Sequence, residues 1–208
     1  QYEYIKEEIN AGIQEVLDTT AYINGPQVHE FQKSLENYLG AKHVIPCANG
    51  TDALQIAMMG LGLKAGDEVI TADFTFAATV EVVALLGITP VLVDVDEDNM
   101  NISIEAIKKA ITPKTKAIVP VHLFGRAANM DAIMEIAKEH NLFVIEDNAQ
   151  AIGANYTWKD GSKQKDLELF GTYSYGKESI DDTPMFVGQL YNDENGEECF
   201  GHFYNGGD

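Results

Sequence analysis

Five places in this 208-residue chain carry side chains that could do chemistry. Asn49-Gly50-Thr51-Asp52 lies between a strand-like run and a helix-like run. Glycine lets backbone approach a ligand, a helix start presents unpaired N–H groups, and Thr51 adds a hydroxyl; together these suit a phosphate. Ordinary N-capping by Thr51 accounts for the same residues without a ligand. The text is neither a P-loop nor the dinucleotide fingerprint, which disfavours nucleotide binding by either route. Asp147 follows the apolar run 142–145. A carboxylate at the mouth of a buried strand can hold a protonated pyridine nitrogen, keeping the ring cationic and electron-withdrawing; a solvated acid or a helix cap is the alternative. Phe76, among small and hydroxylated residues, could stack on a flat ring or simply join the core. His122, after the run 116–121, could touch a cofactor or move a proton near neutral pH, or be structural. Gln150 could donate to a cofactor hydroxyl or bond to backbone.

These residues need a frame that brings them together, and the hydrophobic pattern supplies one. Residues 1–20 read as a helix with apolar positions Tyr4, Ile5, Ile9, Ile13 and Val16. Asn24-Gly25-Pro26 breaks it, and a second helix follows with Val28, Phe31, Leu35 and Leu39 on one face and Gly40 as its stop. The chain then alternates. Strands are expected at 43–47, 68–71, 90–95, 116–121 and 142–145, and helices at 51–61, 77–86, 103–111 and 130–140. The runs VLVDV, AIVPV and LFVI are almost wholly apolar, as strands covered on both faces must be. The expected fold is α/β: three layers, α/β/α, around a mainly parallel sheet. Ligands in such sheets bind at the carboxyl ends of strands. Those ends hold Asn49-Gly50-Thr51, Asp73-Phe74-Thr75-Phe76, His122 and Glu146-Asp147.

Composition narrows the function classes. With 45% hydrophobic residues the chain can bury one sizeable core. A formal charge of −19 argues against nonspecific nucleic-acid binding, which needs lysine and arginine to neutralise phosphates. It leaves room for a small anion held by backbone N–H groups. No apolar run approaches the ~20 residues of a membrane helix, and the charged first residues lack a signal-peptide layout. A cytoplasmic setting with free thiols is expected. Cys47 and Cys199 form no metal spacing, and no metal site is expected.

In order, the chain reads INGPQVHEFQ, CANGTDALQIAMMGLGLKAGDEVITADFTFAATVEVV, ITPVLVDVDEDNMNI, ITPKTKAIVPVHLFGRAANMD and LFVIEDNAQAIGANY. Over about residues 1–165 this closely resembles the DegT/StrS family of pyridoxal-phosphate (PLP) nucleotide-sugar aminotransferases. The resemblance implies the large domain of fold type I, the architecture of aspartate aminotransferase. It implies that Gly50, Thr51 and Asp52 cradle the cofactor phosphate, Phe76 stacks on the pyridine ring, Asp147 pairs with the ring nitrogen and Gln150 bonds near the ring hydroxyl. It further implies glutamate as amino donor, a keto sugar on a nucleotide as acceptor, and a homodimer. NGTDALQ with FTFAAT and PVHLFG looks most like the branch acting on 3-oxo uronic acid or 3-oxo hexose nucleotides in polysaccharide or antibiotic-sugar synthesis.

The resemblance departs near residue 165. The family continues to Ser-Phe-Phe-x-x-Lys-x-Leu-Gly, whose lysine forms the Schiff base. Here the text is Gly171-Thr-Tyr-Ser-Tyr-Gly-Lys177, with Lys177 30 positions after Asp147, and Lys177 is the candidate for that role. A solvated lysine in an acidic tail is the alternative. Residues 166–208 hold ten acids and one base, and resemble no family. Runs 186–191 and 199–204 read as a β-hairpin across Asp193-Glu194-Asn195-Gly196, which is a turn rather than a calcium loop. Family members run to nearly twice this length, so the large domain is expected to be truncated. Two domains are expected, a PLP-binding core at 1–165 and an acidic, glycine- and aromatic-rich tail at 166–208. A sugar dehydrase with an iron–sulfur cluster is set aside, since such clusters usually need four cysteines. A non-catalytic remnant that keeps the fold is the competing reading.

Overall fold

A computed structural model describes residues 2–151, 154–161, 163–165, 172–175, 185–187, 191–192 and 198–199. Helix α1 (Tyr2–Thr19) buries no residue; Ile5, Ile9, Ile13 and Leu17 form an exposed stripe. Helix α2 (Pro26–Leu39) starts on a proline and ends at Gly40, whose φ of 67° is the left-handed conformation that closes a helix at glycine's lowest steric cost. It buries Leu35 and Leu39.

The alternating region follows as α3 (Gly50–Gly60), β1 (Glu68–Ala72), α4 (Ala77–Leu85), β2 (Thr89–Val93), α5 (Ile104–Ala110), β3 (Thr115–Val119), α6 (Met130–His140) and β4 (Phe143–Asp147). Each expected helix and strand from residue 51 to 145 is present, within a few residues of its expected limits. The run 43–47 differs: Pro46 alone forms a bridge, and no strand is built there. Proline has no N–H for a ladder, although Val44 and Ile45 are buried as a core segment requires.

Strands β1–β4 are parallel, in the order β2-β1-β3-β4. Beyond β4 the sheet continues antiparallel through β7 (Thr172–Tyr175) and β8 (Met185–Val187). The short pairs β5 (Asn155–Thr157) with β6 (Lys163–Lys165), and β9 (Tyr191–Asn192) with β10 (Glu198–Cys199), form two separate ribbons.

Side chains of a strand alternate between faces, and here the two faces carry separate cores. Ile70, Ile118 and Val144 pack with Ile107, Met130, Ile133 and Ile136 from α5 and α6. Val69, Ala117, Val119 and Ile145 pack with Leu54, Met58, Val82 and Val83 from α3 and α4. The result is the expected three-layer α/β/α sandwich. Burying each such aliphatic side chain contributes about 1.5–3 kcal/mol, which fixes strand register and therefore which side chains emerge at the carboxyl edge.

Candidate functional site

The carboxyl edge brings three loops together. Asp147 ends β4, only 6% exposed. Alternation from Ile145 directs its side chain to the α3/α4 face, where Thr79 Oγ1 donates to Oδ2 at 2.8 Å. The backbone N–H of Ala149 donates to Oδ1 at 3.2 Å. Thr79 lies in the first turn of α4 and is itself within 3.3 Å of Thr75 Oγ1. Burial pushes the Asp147 carboxyl up, while the Thr79 and Ala149 hydrogen bonds pull it down. Phe76 is the residue before α4, 69% exposed, with extended backbone that leaves its ring outside the helix.

Gly50, Thr51 and Asp52 form the first turn of α3, in the same helical layer as α4. The cap is Asn49, not Thr51: Asn49 Oδ1 accepts from the Asp52 N–H at 2.9 Å, and its Nδ2 donates to Asp52 Oδ2 at 3.2 Å. That leaves the Gly50 and Thr51 N–H groups without an intrahelical acceptor, and the Thr51 hydroxyl clear of capping. Asp52 has its carboxylate tied to the cap. Cys47, just upstream, is a free thiol that donates to Asn49 O at 3.1 Å; burial pushes its pKa up.

His122 is not on the Asp147 side. Its ring is fully buried, with Nε2 2.7 Å from Glu146 Oε2 and Nδ1 accepting from the Ala128 N–H at 3.0 Å. An Nδ1 that accepts carries no proton, so Nε2 is the protonated nitrogen and donates to Glu146. Glu146 alternates with Asp147 and so faces the α5/α6 layer, where Val144 and Ala128 also pack. The His122 N–H donates to Asp147 O at 3.0 Å, and the Asp147 N–H to Pro120 O at 2.9 Å. His122 thus braces the strand end that carries Asp147, from the opposite face. The Glu146 Oε1 and both polar atoms of Asn148 are buried without partners among the described residues.

Gln150 lies in the loop after β4 and contacts the loop after β3. Its Oε1 accepts from the Phe124 N–H at 2.7 Å. Phe124 has φ 56° and ψ 24°, rare for a non-glycine residue, and its exposed ring meets that of Phe74 edge-on at 6.4 Å. Buried Asn101 also holds this loop through Leu123, Arg126 and Ala127. The structure therefore joins Asp147 to the Phe76 turn and Gln150 to the Phe74–Phe124 edge, while placing His122 across the sheet. Lys177 lies outside the described residues.

Sequence reasoning missed Thr79 and Phe124. Thr79 sits three positions after Phe76, the spacing that returns a helix to the same face, which was the available signal. Nothing local marks Phe124 for a left-handed backbone. Among the described residues no group of three or more metal-ligating side chains occurs.

The model of the DegT/DnrJ/EryC1/StrS aminotransferase family matches residues 3–176. UDP-2-acetamido-2-deoxy-3-oxo-D-glucuronate aminotransferase from Pseudomonas aeruginosa is 54% identical over 155 residues, covering 74% of this chain and 43% of that one. A dTDP-3-amino-3,4,6-trideoxy-alpha-D-glucose transaminase from Streptomyces venezuelae is 43% identical over 172 residues, covering 83% and 45%. This chain thus spans less than half the length of the curated relatives it matches. Among solved structures, S. venezuelae DesV in complex with a ketimine intermediate aligns with a TM-score of 0.70 and 42% identity over 72% of this chain and 40% of that one. NtdA from Bacillus subtilis with bound cofactor PMP aligns at 0.69 and 42%, over 71% and 34%. Fold type I sugar aminotransferases therefore share the layered sheet and its carboxyl edge, and this chain belongs to the DegT/DnrJ/EryC1/StrS aminotransferase family.

Proposed function

We propose that the chain carries the cofactor-binding core of a PLP-dependent nucleotide-sugar aminotransferase that draws its amino group from glutamate. The observation that carries this reading is the environment of Asp147. Its buried carboxyl holds one hydroxyl and one backbone N–H, and no salt bridge reaches it among the described residues. An ionised carboxylate there lacks a compensating charge, and a protonated pyridine nitrogen would supply one.

The remaining residues fit the same group. The Gly50 and Thr51 N–H groups and the Thr51 hydroxyl suit its phosphate, with Asp52 held back by Asn49. Phe76, exposed where α4 begins, suits a ring face. Gln150 suits the ring hydroxyl. When bound, PLP draws electron density from the carbon being deprotonated. Asp147 holds the proton on the ring nitrogen, and Thr79 and Ala149 hold Asp147. His122 positions that strand end rather than moving a proton to substrate. Lys177 is the amine proposed to attach the cofactor and carry the proton.

The 54% identical relative supports a 3-oxo uronic acid nucleotide as acceptor. A core at 1–165, a tail at 166–208, a homodimer and a cytoplasmic setting belong to the same proposal. Among the described residues no helix is long and apolar enough to cross a membrane.

A second reading, a cofactor-binding but non-catalytic chain, is favoured by the missing Ser-Phe-Phe-x-x-Lys text around Lys177. Incubation with PLP, borohydride reduction and peptide mass spectrometry separates the two. A stable adduct on Lys177 and a spectral change with glutamate are expected. Bound, coloured cofactor without an adduct supports the second reading, and no bound cofactor overturns both.

A further inference from the structure

The loop after β3 is more tightly held than its exposure suggests. Three separate side chains hold it: His122, Asn101 and Gln150. The first two are buried polar groups whose side-chain hydrogen bonds go to this loop and to Glu146. Yet the loop presents Phe124 75% exposed, in a left-handed backbone that is sterically unfavourable for a non-glycine residue. Next to it, Gly125 has φ 83°, and a Cβ there would lie 3.4 Å from Gln150 O, so the two loops approach backbone to backbone. Such strain persists only where its surroundings over-determine it.

The consequence falls on Gln150. A carboxamide has one accepting and one donating end, and which way it points is usually ambiguous. Here it is not. The partner at 2.7 Å is a backbone N–H, which only donates, so Oε1 must be the atom facing Phe124. The Nε2 group is thereby left to face away from that amide, as a donor.

We infer that the left-handed backbone of Phe124 is a positioning device: its N–H captures Gln150 Oε1 so that Gln150 offers the site a hydrogen-bond donor and never an acceptor. The ligand this suits is an anionic or strongly accepting oxygen, such as the ring oxygen of PLP in its deprotonated form. This step rests on the PLP reading above. The device acts through the Phe124 backbone, so the aromatic ring is dispensable for it, whereas a β-branched residue, which resists positive φ most strongly, is not tolerated.

Two arms test this on the full 208-residue chain. The first needs no cofactor: amide hydrogen exchange at residue 124. Despite its exposure the amide is expected to be protected in the parent protein and in Gln150→Glu, whose carboxylate still accepts, and unprotected in Gln150→Leu. An unprotected parent amide overturns the capture. The second arm is titration with pyridoxal 5′-phosphate, followed by affinity and absorbance. Gln150→Glu keeps the capture but replaces the donor with an acceptor. It is expected to bind about tenfold or more weakly, as loss of a charge-assisted hydrogen bond implies, with absorbance moved toward the protonated ring oxygen. Phe124→Gly, which adopts positive φ without steric cost, is expected to bind more tightly than Phe124→Val, which should show clearly weaker binding and altered absorbance. Glycine as damaging as valine would assign the effect to the ring and overturn the inference. Parental binding by Gln150→Glu would overturn the donor role. If the parent protein takes up no PLP, the cofactor reading falls, and the exchange arm still decides whether the capture exists.

Discussion

Thr79 Oγ1 donates to Asp147 Oδ2 at 2.8 Å, tying the first turn of α4 to the end of β4 across 68 positions of sequence. The hydroxyl meets a carboxylate that burial has made expensive to ionise, and it supplies part of the hydration that Asp147 lost. This contact fixes Asp147 relative to the Phe76 turn, because Phe76 immediately precedes the same helix.

Asp147→Asn is expected to separate stability from cofactor chemistry. A carboxyl whose folded pKa lies above its unfolded one binds more protons when folded, so stability falls as pH rises through that interval. Without cofactor, Asp147→Asn should therefore be as stable as the parent or more so at neutral pH. The advantage should shrink as pH falls through the raised Asp147 pKa and be gone below the ordinary aspartate value, about 4. With PLP the order reverses, since the variant loses the charge that keeps the ring nitrogen protonated. Thermal melts against pH, with and without PLP, check this; identical melts and spectra in both proteins would remove Asp147 from the site.

Thr79→Val keeps the shape and removes the donor. The expected loss is about 1–2 kcal/mol in urea unfolding, that of a buried hydrogen bond to an acid. The Asp147 carboxyl should rise further, because one of the bonds that lowers it is gone.

The His122–Glu146 contact should behave as a hydrogen bond between a neutral imidazole and an acceptor, because Nδ1 already accepts from Ala128. Glu146→Gln, which keeps an acceptor, should then cost about 1 kcal/mol or less. Glu146→Ala strands a buried N–H and opens a cavity, for a loss of roughly 2–4 kcal/mol. Denaturant unfolding distinguishes this from an ion pair, for which the glutamine would be nearly as damaging as the alanine.

Thr51→Val is expected to weaken PLP binding about tenfold and leave stability within about 0.5 kcal/mol, since Asn49 rather than Thr51 caps α3. Asn49→Ala should do the opposite to stability, costing about 1 kcal/mol. A large stability loss in Thr51→Val would return that hydroxyl to a structural role.

The layering of the fold was legible in the sequence because burial on both faces leaves a strong trace. Short, β-branched apolar runs such as AIVPV and LFVI read as covered strands, and the helical spacing between them places helices on either side. The same pattern set Asp147 and His122 at strand ends on one edge. It could not say that they face opposite ways. That depends on a one-residue difference in where each side chain leaves its strand, and on which helix layer waits there with Thr79 or Ala128. Which residue caps α3 is open in the sequence for a similar reason. Asn49 and Thr51 both have capping chemistry, and only the backbone geometry, extended at Asn49 and helical from Gly50, decides which one serves. The left-handed turn at Phe124 had no local signal at all, because phenylalanine disfavours it and only contacts from Asn101, His122 and Gln150, distant in sequence or across the loop, hold it there.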